Sequence, residues 1–262
     1  MATLVEKFFD DKDALTAELS ATLEQSLRDG IKNDGRAVLM VSGGSSPAPA
    51  YKHLSTLDLD WQHVDVAMVD ERWVDPSHEK SNEAFIKSTL LQNHGSAANF
   101  ITMKNAAATA QQGAQECEAA YSELKSPYDV TILGMGPDGH TASLFPHADG
   151  LEHGLTTTQT VCAINAIQSD VTGSITERMT LTLHAIANSK VVKLLISGEE
   201  KLAVYKQAKA GGDVNDMPLR AVLNHPDINI ESGDTVIFSS KIIPGNEKKL
   251  YKLHNQLVKD GI

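Results

Sequence analysis

Leucines at positions 15, 19, 23 and 27 recur every fourth residue, which predicts an amphipathic helix over residues 11–29, ended by Gly30. Further on, several short runs are apolar throughout: AVLMV in "RAVLMVSGGSSP", "VDVAMV", "DVTILG" and "VVKLLISG". Between them lie segments with helical spacing. One begins near Pro47, one is "SNEAFIKSTLLQN" with Ser81 or Asn82 as its cap, one covers residues 106–125, and one is "EEKLAVYKQAKA". Apolar strands that alternate with helices predict an α/β fold, with a mostly parallel sheet covered by helices on both faces. No repeat, low-complexity tract or long linker interrupts the pattern, so a single main domain is expected.

In such sheets ligands sit beyond the carboxyl ends of the strands. Here those ends read "SGGSS", "DER", "GMGPDGH" and "SGEEK". The glycine-rich and charged residues thus gather where this architecture places a site.

Composition narrows the ligand. The chain has 262 residues, 41% hydrophobic and 22% charged, with a net charge of −11. It carries no Lys/Arg-rich stripe, so nucleic acid is not an expected partner. No apolar run has the length of a membrane span, and the start "MATLVEKFFDDKDA" lacks the basic and apolar parts of a secretory signal. Two cysteines, Cys117 and Cys162, without metal-like or redox-pair spacing suit a reducing compartment, and the cytoplasm is expected. A small anion remains a candidate ligand if a few cations converge.

Each motif has a plain structural reading beside a functional one. "SGGSS" (Ser42, Gly43, Gly44, Ser45, Ser46) is either a flexible loop or a turn whose amides and following helix hold a phosphate. It is not a Walker A loop. Asp70, Glu71 and Arg72 form either a solvated triplet or a carboxylate and guanidinium placed for acid–base work and oxyanion binding. "LGMGPDGHTASLFP" (133–146) has dinucleotide-like glycine spacing at Gly134, Gly136 and Gly139. The next apolar run, "QTVCAINA", ends without the acid that would hold a ribose, and Pro146 comes too early for a pyrophosphate helix. That leaves His140, on a glycine-flanked loop, as either a backbone-satisfied histidine or a titrating group at the site. Lys201 stands in the first turn of its helix, where the dipole does not favour a cation unless an anion binds there.

Taken together, the segments resemble the 6-phosphogluconolactonase family, within the group that includes glucosamine-6-phosphate deaminases. The matching pieces are VSGGSSP (41–47), DERWVDPSHEKSNEAFIKSTLL (70–91), ILGMGPDGHTASLFP (132–146), RMTLTLHAIANSKVVKLLISGEEK (178–201) and MPLRAVL (217–223). The resemblance implies a modified Rossmann-type α/β fold and hydrolysis of 6-phosphoglucono-δ-lactone without metal, nucleotide or other cofactor. It implies that His140 is the general base, with Asp70 and Asp138 orienting the base and the sugar hydroxyls. Arg72 would steady developing negative charge, and the SGGSS backbone with Arg178 and Lys201 would grip the 6-phosphate. The expected partner is a small phosphosugar lactone, and the expected state is a monomer or small homo-oligomer.

Two alternatives stand beside this reading. The deaminases of the group follow their DGH with an Ile-Ala-Phe-Asn-Glu-Pro type run, whereas Thr141 to Pro146 here contains no acid. A sugar-phosphate sensor would need a helix-turn-helix segment, and residues 1–35 read as one acidic helix.

The family-like domain covers residues 1–231. Residues 232–262 depart from it and resemble instead a fragment of a β-CASP metallo-β-lactamase-type ribonuclease, without that family's cluster of metal ligands. They are expected to form an appendage: a strand at Thr235–Ser239, a turn at Pro244-Gly245 and a helix.

Overall fold

The structure, a computed structural model, describes residues 5–9, 11–228 and 235–239. In chain order the strands are β1 (Val5–Phe9), β2 (Ala37–Val41), β3 (Val64–Met68), β4 (Asp70–Arg72), β5 (Asn99–Ile101), β6 (Val130–Gly134), β7 (Val161–Asn165), β8 (Glu177–Leu181), β9 (Val192–Ser197) and β10 (Thr235–Ser239). The helices are α1 (Lys12–Asp34), α2 (Ala48–Ser55), α3 (Asn82–Thr89), α4 (Ala110–Ser122), α5 (Leu151–Thr156), α6 (Leu183–Ala187), α7 (Glu199–Lys209) and α8 (Leu219–Leu223).

The apolar runs build a seven-stranded sheet in the order β1-β10-β9-β6-β2-β3-β5. Every pairing in it is parallel. All five residues of β2 and of β3 are buried, as strands covered on both faces must be. From β2 the chain steps to β3 on one side, and later returns to β6 on the other. The carboxyl ends of β2 and β6 therefore flank a switch point, where a crevice opens.

The run "VDVAMVDER" does not stay in one sheet. β3 belongs to the parallel sheet, whereas β4 joins β8 and β7 in a second, antiparallel sheet of order β4-β8-β7. Val69 makes the transition: its amide donates to the Val41 carbonyl (2.9 Å), and its carbonyl accepts from the Leu181 amide (2.8 Å). The small sheet is thereby stapled beside the carboxyl end of β2. Its presence was not expected, because three charged residues in β4 carry no strand-like alternation.

Two details of the amino-terminal region also differ from expectation. A strand, β1, precedes α1, so residues 1–35 are not one helix. The helix is capped by Asp11, whose carboxylate accepts from the Ala14 amide (2.8 Å), and it runs through Gly30 to end at Gly35 in the left-handed region (φ 75°). Gly30 is buried for a packing reason: a Cβ there would lie 2.6 Å from the Asp129 carboxylate. That carboxylate accepts from the Val38 amide (2.7 Å) and from Lys125 and Lys190 (2.9 Å each).

The strand expected at Thr235–Ser239 is β10, paired in parallel with both β9 and β1 inside the main sheet. The turn and helix expected after it lie outside the described residues.

Gly30→Ala should cost about 1–3 kcal/mol of stability by overpacking against Asp129, despite alanine's higher helix propensity. Urea denaturation measures this. A variant as stable as the wild type would show that the contact yields freely.

Candidate active site

The site is assembled from four strand ends. After β2, Ser42 to Ser46 form the turn into α2, and Gly44 adopts φ 96°. The amides of Gly43, Gly44, Ser45 and Ser46 donate to no protein acceptor among the described residues. The helix behind them, α2, has Pro47 as its N-cap and no side-chain cap. Such a turn presents unsatisfied N–H groups and the positive end of a helix to the same space.

After β6, the chain reads Met135-Gly136-Pro137-Asp138-Gly139-His140 and folds back on itself. The Gly136 amide donates to the His140 carbonyl (2.9 Å), and the Gly139 amide to the Gly136 carbonyl (3.1 Å). No helix starts at Gly139, as a pyrophosphate-binding turn would require. The glycines serve closeness and curvature instead. A Cβ on Gly136 would lie 2.1 Å from the His140 ring, and Gly139 adopts φ 78°.

This tight turn sets Asp138 against His140. The Asp138 carboxylate accepts from the His140 backbone amide (3.1 Å) and lies 2.6 Å from its Nδ1. Donation from Nδ1 to this carboxylate turns Nε2 away from Asp138. The ring also stacks on Phe145 at 4.1 Å between centroids. Burial pushes the Asp138 carboxyl up, but the hydrogen bond and charge of His140, with its backbone amide, outweigh that and hold it below the usual carboxylate range.

The second sheet supplies the other wall. Asp70 and Arg72 lie on one face of β4, and Thr180 and Arg178 face them across the antiparallel ladder. Arg178 is only 4% exposed. Burial pushes its guanidinium down to about 10, with Arg72 adding to the effect and Asp70 and Glu71 opposing it. Its Nη2 donates to the Thr172 carbonyl (3.2 Å), while Nε is buried without a partner. Lys201, in the first turn of α7, is likewise held below the usual lysine range by burial. Arg72, Arg178 and Lys201 form no ion pair with any described residue.

Of the residues singled out in the sequence, Ser42 to Ser46, Asp70, Arg72, His140, Arg178 and Lys201 all line one cleft of about 380 Å³. Asp138 stands behind His140 rather than on the cleft wall. Three further residues shape it. Asn82, considered only as a helix cap, lines the cleft, although the cap of α3 is Ser81. Ser143 is fully buried and donates to Asp70 (2.6 Å). Phe145 supports His140 on one side and Arg178 on the other, with 5.5 Å from the guanidinium to its ring. Ala142, next to Ser143, holds φ 49°, a conformation that costs a non-glycine residue about 1–3 kcal/mol.

A family model described as glucosamine-6-phosphate isomerases/6-phosphogluconolactonase matches residues 10–231. The 6-phosphogluconolactonase of Rhizobium meliloti (strain 1021) is 37% identical over 215 residues, spanning 82% of this chain and 91% of that protein. The 6-phosphogluconolactonase of Pseudomonas aeruginosa is 38% identical, spanning 79% of this chain and 86% of its own length. The crystal structure of a 6-phosphogluconolactonase from Shewanella baltica OS155 superposes with a TM-score of 0.83 at 38% identity, covering 91% of this chain and 98% of that one.

A carboxyl group depressed by a partner stabilises the fold above its ordinary range, and this stabilisation is lost as pH falls through its folded value. The stability gap between wild type and Asp138→Asn should therefore shrink below about pH 4. Denaturation over a series of acidic pH values checks this. A gap that persists undiminished into strong acid would contradict the pairing with His140.

Proposed function

The chain belongs to the glucosamine-6-phosphate isomerase/6-phosphogluconolactonase family, and from that premise we propose that it hydrolyses 6-phosphoglucono-δ-lactone to 6-phosphogluconate. The reading rests on one observation. A histidine held by a carboxylate shares a cleft with three cations and a turn of amides that have no ion-pair or acceptor partner among the described residues.

In this reading the 6-phosphate sits on the amides of the Ser42–Ser46 turn, with Arg178 and Lys201 supplying charge. Cations without protein counter-ions have been desolvated in advance, so a dianion meets no competing partner. The anchored phosphate then orients the far end of the substrate, the lactone carbonyl, toward His140.

Nε2 of His140 takes a proton from a water molecule as its oxygen bonds to the carbonyl carbon. The carbonyl electrons move to oxygen, and Arg72 stabilises that oxyanion. When the intermediate collapses, the bond from carbon to the ring oxygen breaks. His140 returns its proton to the departing oxygen, which becomes the sugar's hydroxyl. Asp138 keeps the imidazole in the correct tautomer and balances its charge while it is protonated. Asp70, whose Oδ2 accepts from Ser143 and Oδ1 from Asn82, serves as a fixed acceptor for sugar hydroxyls rather than as a base.

Residues 1–231 carry this chemistry, since every described residue of the cleft lies in them. The deaminase reading is weaker, because Thr141 to Pro146 offers no acid for ring opening. No described helix is long and apolar enough to cross a membrane, and both cysteines are free and buried. The reading keeps a cytoplasmic enzyme acting without a cofactor, as a monomer or small homo-oligomer.

With lactone generated in situ, His140→Ala should lower turnover about 10²–10⁴-fold while phosphosugar binding survives. Near-normal turnover would remove His140 from its role. Lys201→Ala should raise KM about tenfold or more, the size of one lost charge-assisted contact, with a much smaller change in kcat. A change confined to kcat would place Lys201 away from the phosphate.

A further inference from the structure

Asp70 and Arg72 are two residues apart on one strand, so their side chains emerge on the same face. An aspartate and an arginine so placed are within reach of each other, and Arg–carboxylate pairs are frequently bidentate. Here they do not. The carboxamide of Asn82 stands between them. Its Nδ2 donates to the Asp70 carbonyl (2.9 Å) and to Asp70 Oδ1 (3.3 Å), and its Oδ1 accepts from Arg72 Nη1 (3.2 Å). Each charged group has a further partner. Ser143 Oγ donates to Asp70 Oδ2 (2.6 Å), and Arg72 Nη1 donates to the Lys80 carbonyl (2.7 Å).

The spacer is itself held from behind. Glu71, between the two charges, points the other way and is only 1% exposed. Its carboxylate accepts from the amides of Asn82 and Glu83 (2.8 Å each) and from the Ser81 hydroxyl (3.0 Å). This fixes the first turn of α3 onto β4. On its cleft side Asn82 abuts the phosphate turn so closely that a Cβ on Gly43 would lie 2.0 Å from Asn82 Oδ1.

We infer that Asn82 is a positioning residue that prevents Asp70 and Arg72 from neutralising each other, keeping the Arg72 charge available to an anionic ligand. A neutral amide does this where a charged residue would not. It satisfies the carboxylate as a donor and the guanidinium as an acceptor, while leaving the charge of each intact. The inference rests on the cleft being the anion site proposed above.

The test is calorimetric titration of 6-phosphogluconate, the product of the proposed reaction, into four proteins: wild type, Asn82→Ala, Asp70→Asn and the double variant. Its carboxylate takes the place of the lactone carbonyl, beside Arg72. Thermal unfolding establishes that each protein is folded. Removing the spacer lets Asp70 close on Arg72, so Asn82→Ala should weaken 6-phosphogluconate binding about tenfold, as expected for one lost charge-assisted contact. In the double variant no carboxylate remains to capture Arg72. It should therefore bind 6-phosphogluconate as tightly as Asp70→Asn alone. A merely structural role for Asn82 would weaken both backgrounds equally, and that equal loss would overturn the inference, as would an Asn82→Ala protein that binds like the wild type. A wild-type protein that binds no 6-phosphogluconate would overturn the anion site and the inference together. Failure of the rescue pattern in proteins that do bind would overturn the inference alone.

Discussion

Positive charge held without a counter-ion, at the carboxyl ends of a parallel sheet, is the constraint on which the rest of this structure depends. Burying a cation unpaired is costly, and here the cost is visible as the depressed guanidinium of Arg178 and ammonium of Lys201. The surrounding protein is arranged to tolerate it. Arg178 keeps one backbone acceptor and an aromatic face, and Arg72 keeps a carbonyl and an amide oxygen. These contacts hold the charges in place without cancelling them. A protein of net charge −11 can in this way present a local cationic pocket to a small anion.

The two sheets divide the labour. The parallel sheet contributes backbone: the free amides after β2, the glycine turn after β6 that presses Asp138 against His140, and the start of α7 that places Lys201. The antiparallel sheet contributes rigid side chains, since Asp70, Arg72, Arg178 and Thr180 are locked in cross-strand register. Val69 joins the two by hydrogen bonds to both, so the distance between the Ser42–Ser46 turn and the charged ladder is set by backbone rather than by side-chain packing. The backbone donors and the charged side chains of the cleft are thereby fixed in relation to each other before a ligand arrives.

Much of this was legible in the sequence. Fully buried parallel strands have to be apolar throughout, and β2, β3, β6 and β9 announced themselves in that way. The glycine-rich strand ends then gave the place of the site. What stayed hidden lacked local periodicity. β4 is three polar and charged residues, and its strand character comes only from pairing with β8, more than a hundred positions away. Gly30 resembled a helix stop because glycine usually marks one. Only the approach of Asp129, which is distant in sequence, reveals it as an interior residue. Asn82 looked like a cap, because its two partners become visible as a pair only once Glu71 has pinned α3 to β4.

The central claim is that His140 activates water for direct attack on a lactone carbonyl. It is tested most directly by single turnover with enzyme in excess in ¹⁸O-enriched water, with quenching before uncatalysed hydrolysis contributes. The account predicts product formed faster than background, with one solvent oxygen in its carboxylate and none left in the protein. Product without solvent oxygen, with the label appearing instead in a carboxylate such as Asp70, would mean covalent catalysis and contradict it. Formation no faster than background would contradict it as well.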